Sequence, residues 1–228
     1  MTNLKKYFNP NHKVTYIITA ITTIVFVYML IVYGPDGMTS PVALIKSGAL
    51  WGGVISSPFD LWRLITPIFV HIGFSHFLFN IFAIYFIGAQ VEEIFGSFRF
   101  FILYMFSGIF ANAMSLYFSP DTISAGASTS IFGMFAGVVA LGYIANNSAF
   151  REVAKGYLAL IVFNLVSNLF EVNVSLLGHI GGVIGGILLA FAIPYNYPGM
   201  RNSKGVRFIA LVIYSTLLMF FCIFSIYR

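Results

Sequence analysis

The sequence predicts an all-α protein threaded through a membrane several times, without an attached soluble domain. Three observations predict it. Hydrophobic residues make up 59% of the 228 positions and charged residues only 8%, whereas a soluble domain carries about 25% charged residues. The apolar residues fall into seven runs, most close to the roughly 20 residues that take a helix across a bilayer. Lysines and arginines gather in alternate connections between those runs, as cytoplasmic retention of positive charge requires.

The first run, about 14–33, follows the basic residues Lys5, Lys6 and Lys13 and ends Ile-Val-Tyr-Gly-Pro without a small-residue cleavage site, so it reads as a retained helix rather than a signal peptide. The connection at about 34–67 contains Pro35, Pro41, Pro58, Pro67 and the glycine patch Gly48 to Gly53. Its part LIKSGALWGGVISSPFDLWRLITP is half apolar, which suits a segment lying at the lipid headgroups. Runs at about 68–90, 98–118 and 128–145 follow. The fifth, at about 156–170, is short and must borrow flanking residues or tilt. The last two lie at about 176–194 and 206–227.

With the N-terminus inside, nine cations are cytoplasmic: Lys5, Lys6, Lys13, Arg99, Arg151, Lys155, Arg201, Lys204 and Arg207. Lys46, Arg63 and Arg228 are external. This asymmetry predicts an N-inside, C-outside integral protein of a cell membrane, and it accounts for the net charge of +5 without a nucleic-acid surface. The lone Cys222 has no cysteine with which to form an intrachain disulfide. The Asn-x-Ser matches at Asn146 and Asn173 are short patterns that carry little information. Residues 1–228 read as one domain, with a core at about 60–194 and an extra C-terminal helix at about 206–227.

Intramembrane polar residues are costly and so mark candidate function. The central part of every run lacks Asp and Glu, which argues against a carboxylate relay, and there is no HExxH zinc motif. His71, His76 and Asn80 remain near the start of the second run, Ser128 at the start of the fourth and His179 at the start of the sixth. These three runs share one direction, so their first turns reach similar depth. His76 and Asn80, four residues apart, share a helix face. Gly133 and Gly137 follow Ser128, while Gly178, Gly182 and Gly186 surround His179, a spacing that lets two helices approach closely. Ser128 and His179 then suit a nucleophile and its general base. Asn80, His76 and the Ser128 N–H suit donors to an oxyanion, and Phe132, one turn on, suits a stacking partner for the His179 ring. Read one at a time, the same residues are ordinary: Ser and Gly pack membrane helices, and Trp62 and His71 fit an interfacial belt.

Together these residues resemble the rhomboid family of intramembrane serine proteases. Trp62-Arg63 is similar to the family's WR motif, and HIGFSHFLFN, His71 to Asn80, to its H-x4-H-x3-N signature. Glu92 and Gly96 in VEEIFGS fit the cap after the second helix. Gly126 to Ser128 fits the start of the G-x-S-G nucleophile motif, and HIGGVIGG from His179 fits the general-base helix. Thr129 stands where that motif usually has glycine. The resemblance implies a six-helix core plus one C-terminal helix, a first loop half-embedded in the outer leaflet, and His76 with Asn80 as oxyanion donors. It further implies cleavage of other proteins' transmembrane segments near their outer ends, without metal or cofactor. The alternative is an inactive relative that binds membrane clients.

Overall fold

A computed structural model describes residues 12–144, 148–169, 175–194 and 203–227; Lys5, Lys6, Asn146, Asn173, Arg201 and Arg228 lie outside them. Seven helices of 17 residues or more dominate the described chain, which contains no strand. They are α1 (Lys13–Gly37), α3 (Gly73–Phe95), α4 (Ser97–Phe118), α5 (Ser128–Ile144), α6 (Ser148–Asn168), α7 (Leu176–Ala192) and α8 (Lys204–Ile226), with a short α2 (Pro41–Lys46) after α1. Four of them, α1, α3, α4 and α8, are long and apolar enough to cross a membrane. The protein is an all-α integral membrane protein.

Helix α4 is the hub. Its inner turns, including Phe100, Leu103, Tyr104 and Phe110, are fully buried, and α5, α7 and α8 pack around it. Helices α1 and α8 lie at the periphery with exposed apolar faces, the pattern expected where lipid is the solvent. The Tyr214 hydroxyl of α8 donates to the Phe106 carbonyl of α4 at 2.9 Å, giving a polar tip a partner inside the apolar contact.

Two boundaries differ from the sequence reading. The second span starts at Gly73 rather than near 68, because Pro67 and tight turns over Thr66–Ile68 precede it; its middle, Ala83–Gly88, is wound as a π-helix. Helix α6 starts at Ser148 rather than near 156. Its first turns carry Arg151, Glu152 and Lys155, with a 2.7 Å ion pair between the last two, so hydropathy alone conceals them.

Glu92 fastens the first span to the core. Its buried carboxylate accepts from the Val14 and Thr15 N–H groups at the start of α1, at 3.1 and 2.8 Å, and from the hydroxyls of Thr15 and Ser97, at 2.7 and 2.6 Å. A negative charge at a helix N-terminus meets orphan donors and a favourable dipole. Gly96, at φ +75°, supplies the turn into α4 that a side chain would resist.

The connection from α1 to α3 folds over the bundle. Arg63 donates to the Ile45 and Ala49 carbonyls at 2.9 and 3.1 Å and lies 4.4 Å from the centre of the Trp62 ring, so this pair closes the C-terminal end of α2. Asp60 accepts from the N–H groups of Ser56 and Ser57, both at 2.9 Å. The Ser56 N–H, followed by the Ser57 hydroxyl, holds its carboxyl below the usual range. Phe59, Trp62 and Ile65 are left exposed.

Helices α5 and α7 meet backbone to backbone. A Cβ added at Gly182 would overlap the Thr129 carbonyl oxygen, and one at Gly186 would overlap that of Gly133. Gly181 and Gly185 turn toward Ala111 and Phe110 of α4. One glycine-rich helix thus packs closely on two neighbours. Replacing Gly182 with valine is expected to destabilise the bundle by about 1–3 kcal/mol through overpacking. Gly156→Val, where an added Cβ meets nothing within 4 Å, should leave thermal unfolding in detergent unchanged. Equal effects of the two changes would contradict this packing.

Candidate active site

Ser128 opens α5, where its N–H has no intrahelical acceptor, and His179 lies in the first turn of α7. The close approach of these helices brings Ser128 Oγ to 2.8 Å from His179 Nε2. The Phe132 ring lies parallel to the imidazole, with centroids 4.2 Å apart and planes 17° apart. His179 is 5% exposed, so the ring is fixed on one face by an aromatic and on one edge by the serine.

The segment leading into Ser128 is held at three successive points. Ser124 exchanges two backbone hydrogen bonds with Leu50, at 2.9 and 2.8 Å. The Gly126 N–H donates to the Pro67 carbonyl at 2.8 Å, and the Ala127 N–H donates to His71 Nε2 at 3.3 Å. Gly126, at φ +133°, has the His76 ring directly against it, 2.5 Å from where a Cβ would stand. Glycine is required there on both counts.

His76 accepts from the Ile72 N–H through Nδ1 at 3.3 Å, which leaves Nε2 as its N–H donor beside Gly126. Asn80 is buried, and its Nδ2 donates to the His76 carbonyl at 2.7 Å. That bond uses one of its two amide hydrogens. It ties the amide to its own helix and leaves the second hydrogen uncommitted by this bond.

His71 is not at an interface, contrary to the expectation from its place near the start of an apolar run. It has no exposed surface, because the folded-over connection and α3 enclose it. Its Nδ1–H donates to the Phe69 carbonyl at 3.1 Å, and its Nε2 accepts from Ala127. The residue therefore braces the backbone beside Ser128. Trp62, Arg63 and Glu92 stand away from this cluster and hold the scaffold instead.

Sequence reading missed Asn168, the last residue of α6. Its carboxamide is in hydrogen-bond contact with His179 Nδ1 through the atom placed as Nδ2. Nothing periodic marks a contact between the end of one helix and the start of the next; an Asn closing an apolar run was the only signal.

The fold is an all-α membrane bundle in which a serine and a histidine are in contact where two glycine-rich helices meet. Residues 58–196 match the Rhomboid domain, and the chain belongs to the rhomboid family. It is 32% identical over 198 residues to the rhomboid protease GluP of Bacillus subtilis, covering 87% of this chain and 38% of GluP. It is 35% identical over 133 residues to the putative rhomboid protease YdcA of the same organism, covering 58% of this chain and 67% of YdcA. The rhomboid-like protease 3 of Toxoplasma gondii is 31% identical over 163 residues, covering 69% of this chain and 59% of the relative. The chain thus spans well under half of GluP and about two thirds of YdcA.

His71→Ala is expected to leave the Ala127 N–H buried without an acceptor and to cost about 1–3 kcal/mol, read as a lowered unfolding midpoint. His71→Gln should recover part of that loss. A midpoint unchanged in the alanine variant would show that His71 does not hold this backbone.

Proposed function

We propose that this protein is a serine endopeptidase that cleaves transmembrane segments of other membrane proteins, with Ser128 as nucleophile and His179 as general base. The observation that carries the reading is the 2.8 Å contact between Ser128 Oγ and His179 Nε2, made inside a membrane bundle where an unpaired polar group is costly. Names of relatives that include the word protease add support.

In this mechanism Ser128 Oγ attacks the scissile carbonyl carbon while its proton passes to His179 Nε2. The carbonyl oxygen becomes an oxyanion, received by the Ser128 N–H, by His76 Nε2–H and by the second amide hydrogen of Asn80. Collapse breaks the C–N bond, and the proton on Nε2 goes to the leaving amine. Water then repeats the sequence on the acyl ester, restoring Ser128. The role of Asn80 requires its amide to stay aimed so that one hydrogen remains free of the His76 carbonyl.

Helix lengths favour an external, recessed site. At 17 residues each, α5 and α7 span only about 25 Å, against roughly 30 Å of hydrocarbon. Their first turns can therefore lie below the lipid surface and still meet water. The nine-to-three distribution of Lys and Arg supports an external position for those ends. A substrate helix must unwind there before its amide can be attacked, so helix-breaking residues near its outer end favour cleavage.

The second reading, an inactive relative that binds membrane clients, rests on Thr129 at the motif's usual glycine. Thr129 lies within α5 at negative φ, a backbone that any residue adopts, and its methyl faces Gly178. The protease reading is therefore preferred. Ser128→Ala and His179→Ala are each expected to reduce cleavage of a transmembrane test substrate at least about 10³-fold while the protein remains folded. Asn80→Ala and His76→Ala should each lower kcat by roughly 10²–10³ with a smaller change in KM. Undiminished cleavage by purified Ser128→Ala would eliminate the mechanism.

A further inference from the structure

Asn168 occupies a place that the proposed Ser–His chemistry leaves open. Its two polar neighbours on α6 turn back on their own helix: Asn164 Nδ2 donates to the Leu160 carbonyl at 2.8 Å and Ser167 Oγ to the Phe163 carbonyl at 2.9 Å. Such back-bonding is the ordinary fate of these residues in a helix. Asn168, on the last turn, reaches across to α7 and meets His179 Nδ1, the ring nitrogen opposite the one facing Ser128.

The chemistry of an imidazole makes that contact consequential. A neutral ring carries one hydrogen, on Nδ1 or on Nε2. If Nε2 carries it, the ring donates to Ser128 and cannot take its proton. A base at Nε2 needs the hydrogen on Nδ1, and so needs an acceptor there. A carboxamide offers either end: its oxygen accepts from Nδ1–H, and its nitrogen donates to a bare Nδ1. A half-turn of the amide exchanges the two without moving the backbone.

We propose that Asn168 is a positioning residue for His179, presenting Oδ1 to Nδ1–H and so keeping the Nε2 lone pair toward Ser128. The inference rests on the protease reading and extends it: three side chains from α5, α7 and α6 form a Ser–His–Asn series, with the Phe132 ring fixing the imidazole plane. No charge is added to the membrane interior, since an amide supplies the acceptor that a carboxylate supplies in soluble triads. The end of α6 thereby becomes part of the catalytic geometry, although it touches neither the substrate carbonyl nor Ser128.

The test uses the full-length protein, a transmembrane test substrate and two replacements of similar size. Asn168→Asp keeps an oxygen acceptor and should retain kcat within about 3-fold. Asn168→Leu removes it and should lower kcat roughly 10- to 100-fold with little change in KM, a fraction of the 10²–10⁴ that a positioned general base contributes. Nitrogen-15 histidine spectra in detergent should show the Nδ1–H tautomer for His179 in the parent and its loss in Asn168→Leu; that readout does not depend on turnover. Equal kcat in Asn168→Leu and the parent, equal damage from both replacements, or an Nε2–H tautomer in the parent would overturn the proposal. Should Ser128→Ala cleave as well as the parent, the protease reading falls, and the catalytic role of Asn168 falls with it. Should Ser128→Ala be inactive while Asn168→Leu is fully active, only the positioning role falls.

Discussion

The contact between the backbones of α5 and α7 is the constraint on which the rest depends. Gly182 and Gly186 face the carbonyl oxygens of Thr129 and Gly133 with no room for a Cβ between them. At that separation a serine on one helix and a histidine on the other meet directly, with no intervening residue or water. A bilayer offers no hydrophobic drive to press helices together, since lipid is as apolar as their side chains, so close packing of small residues has to supply the association. The polar contact at the helix openings follows from the apolar fit below it.

Around that contact the structure is organised to hold one short segment still. The connection after α1 would be a loose excursion without the bonds of Arg63 to Ile45 and Ala49. Fixed by them, it pairs Leu50 with Ser124 and Pro67 with Gly126, while His71 bonds Ala127. Glu92 does the corresponding work at the opposite end of α3, holding the start of α1. Trp62-Arg63 and Glu92 therefore act at a distance from Ser128, through the backbone. The cluster of His71, His76 and Gly126 acts on it from the adjacent residues.

Much of this was legible in the sequence because membrane physics leaves few options. Hydropathy located the seven long helices, and the four-residue glycine spacing predicted that α7 meets a neighbour closely. Boundaries were less legible: the start of α3 depends on turns set by Pro67, and the first turns of α6 are polar enough to look like loop. His71 was misread since a histidine near the start of an apolar run resembles an interfacial one until the fold of the preceding connection encloses it. Asn168 escaped notice for a related reason. Its partner is eleven residues away on another helix, and a helix-terminal Asn has local uses that sequence cannot distinguish from a reach across the bundle.

The central claim is that Ser128 is chemically activated, beyond being a small residue at a helix crossing. It is tested most directly by treating the folded protein with a fluorophosphonate and locating the adduct by peptide mass spectrometry. The account predicts a single phosphonylated residue, Ser128, with modification abolished in His179→Ala. An unmodified Ser128 in folded parent protein, or equal labelling without His179, would contradict it.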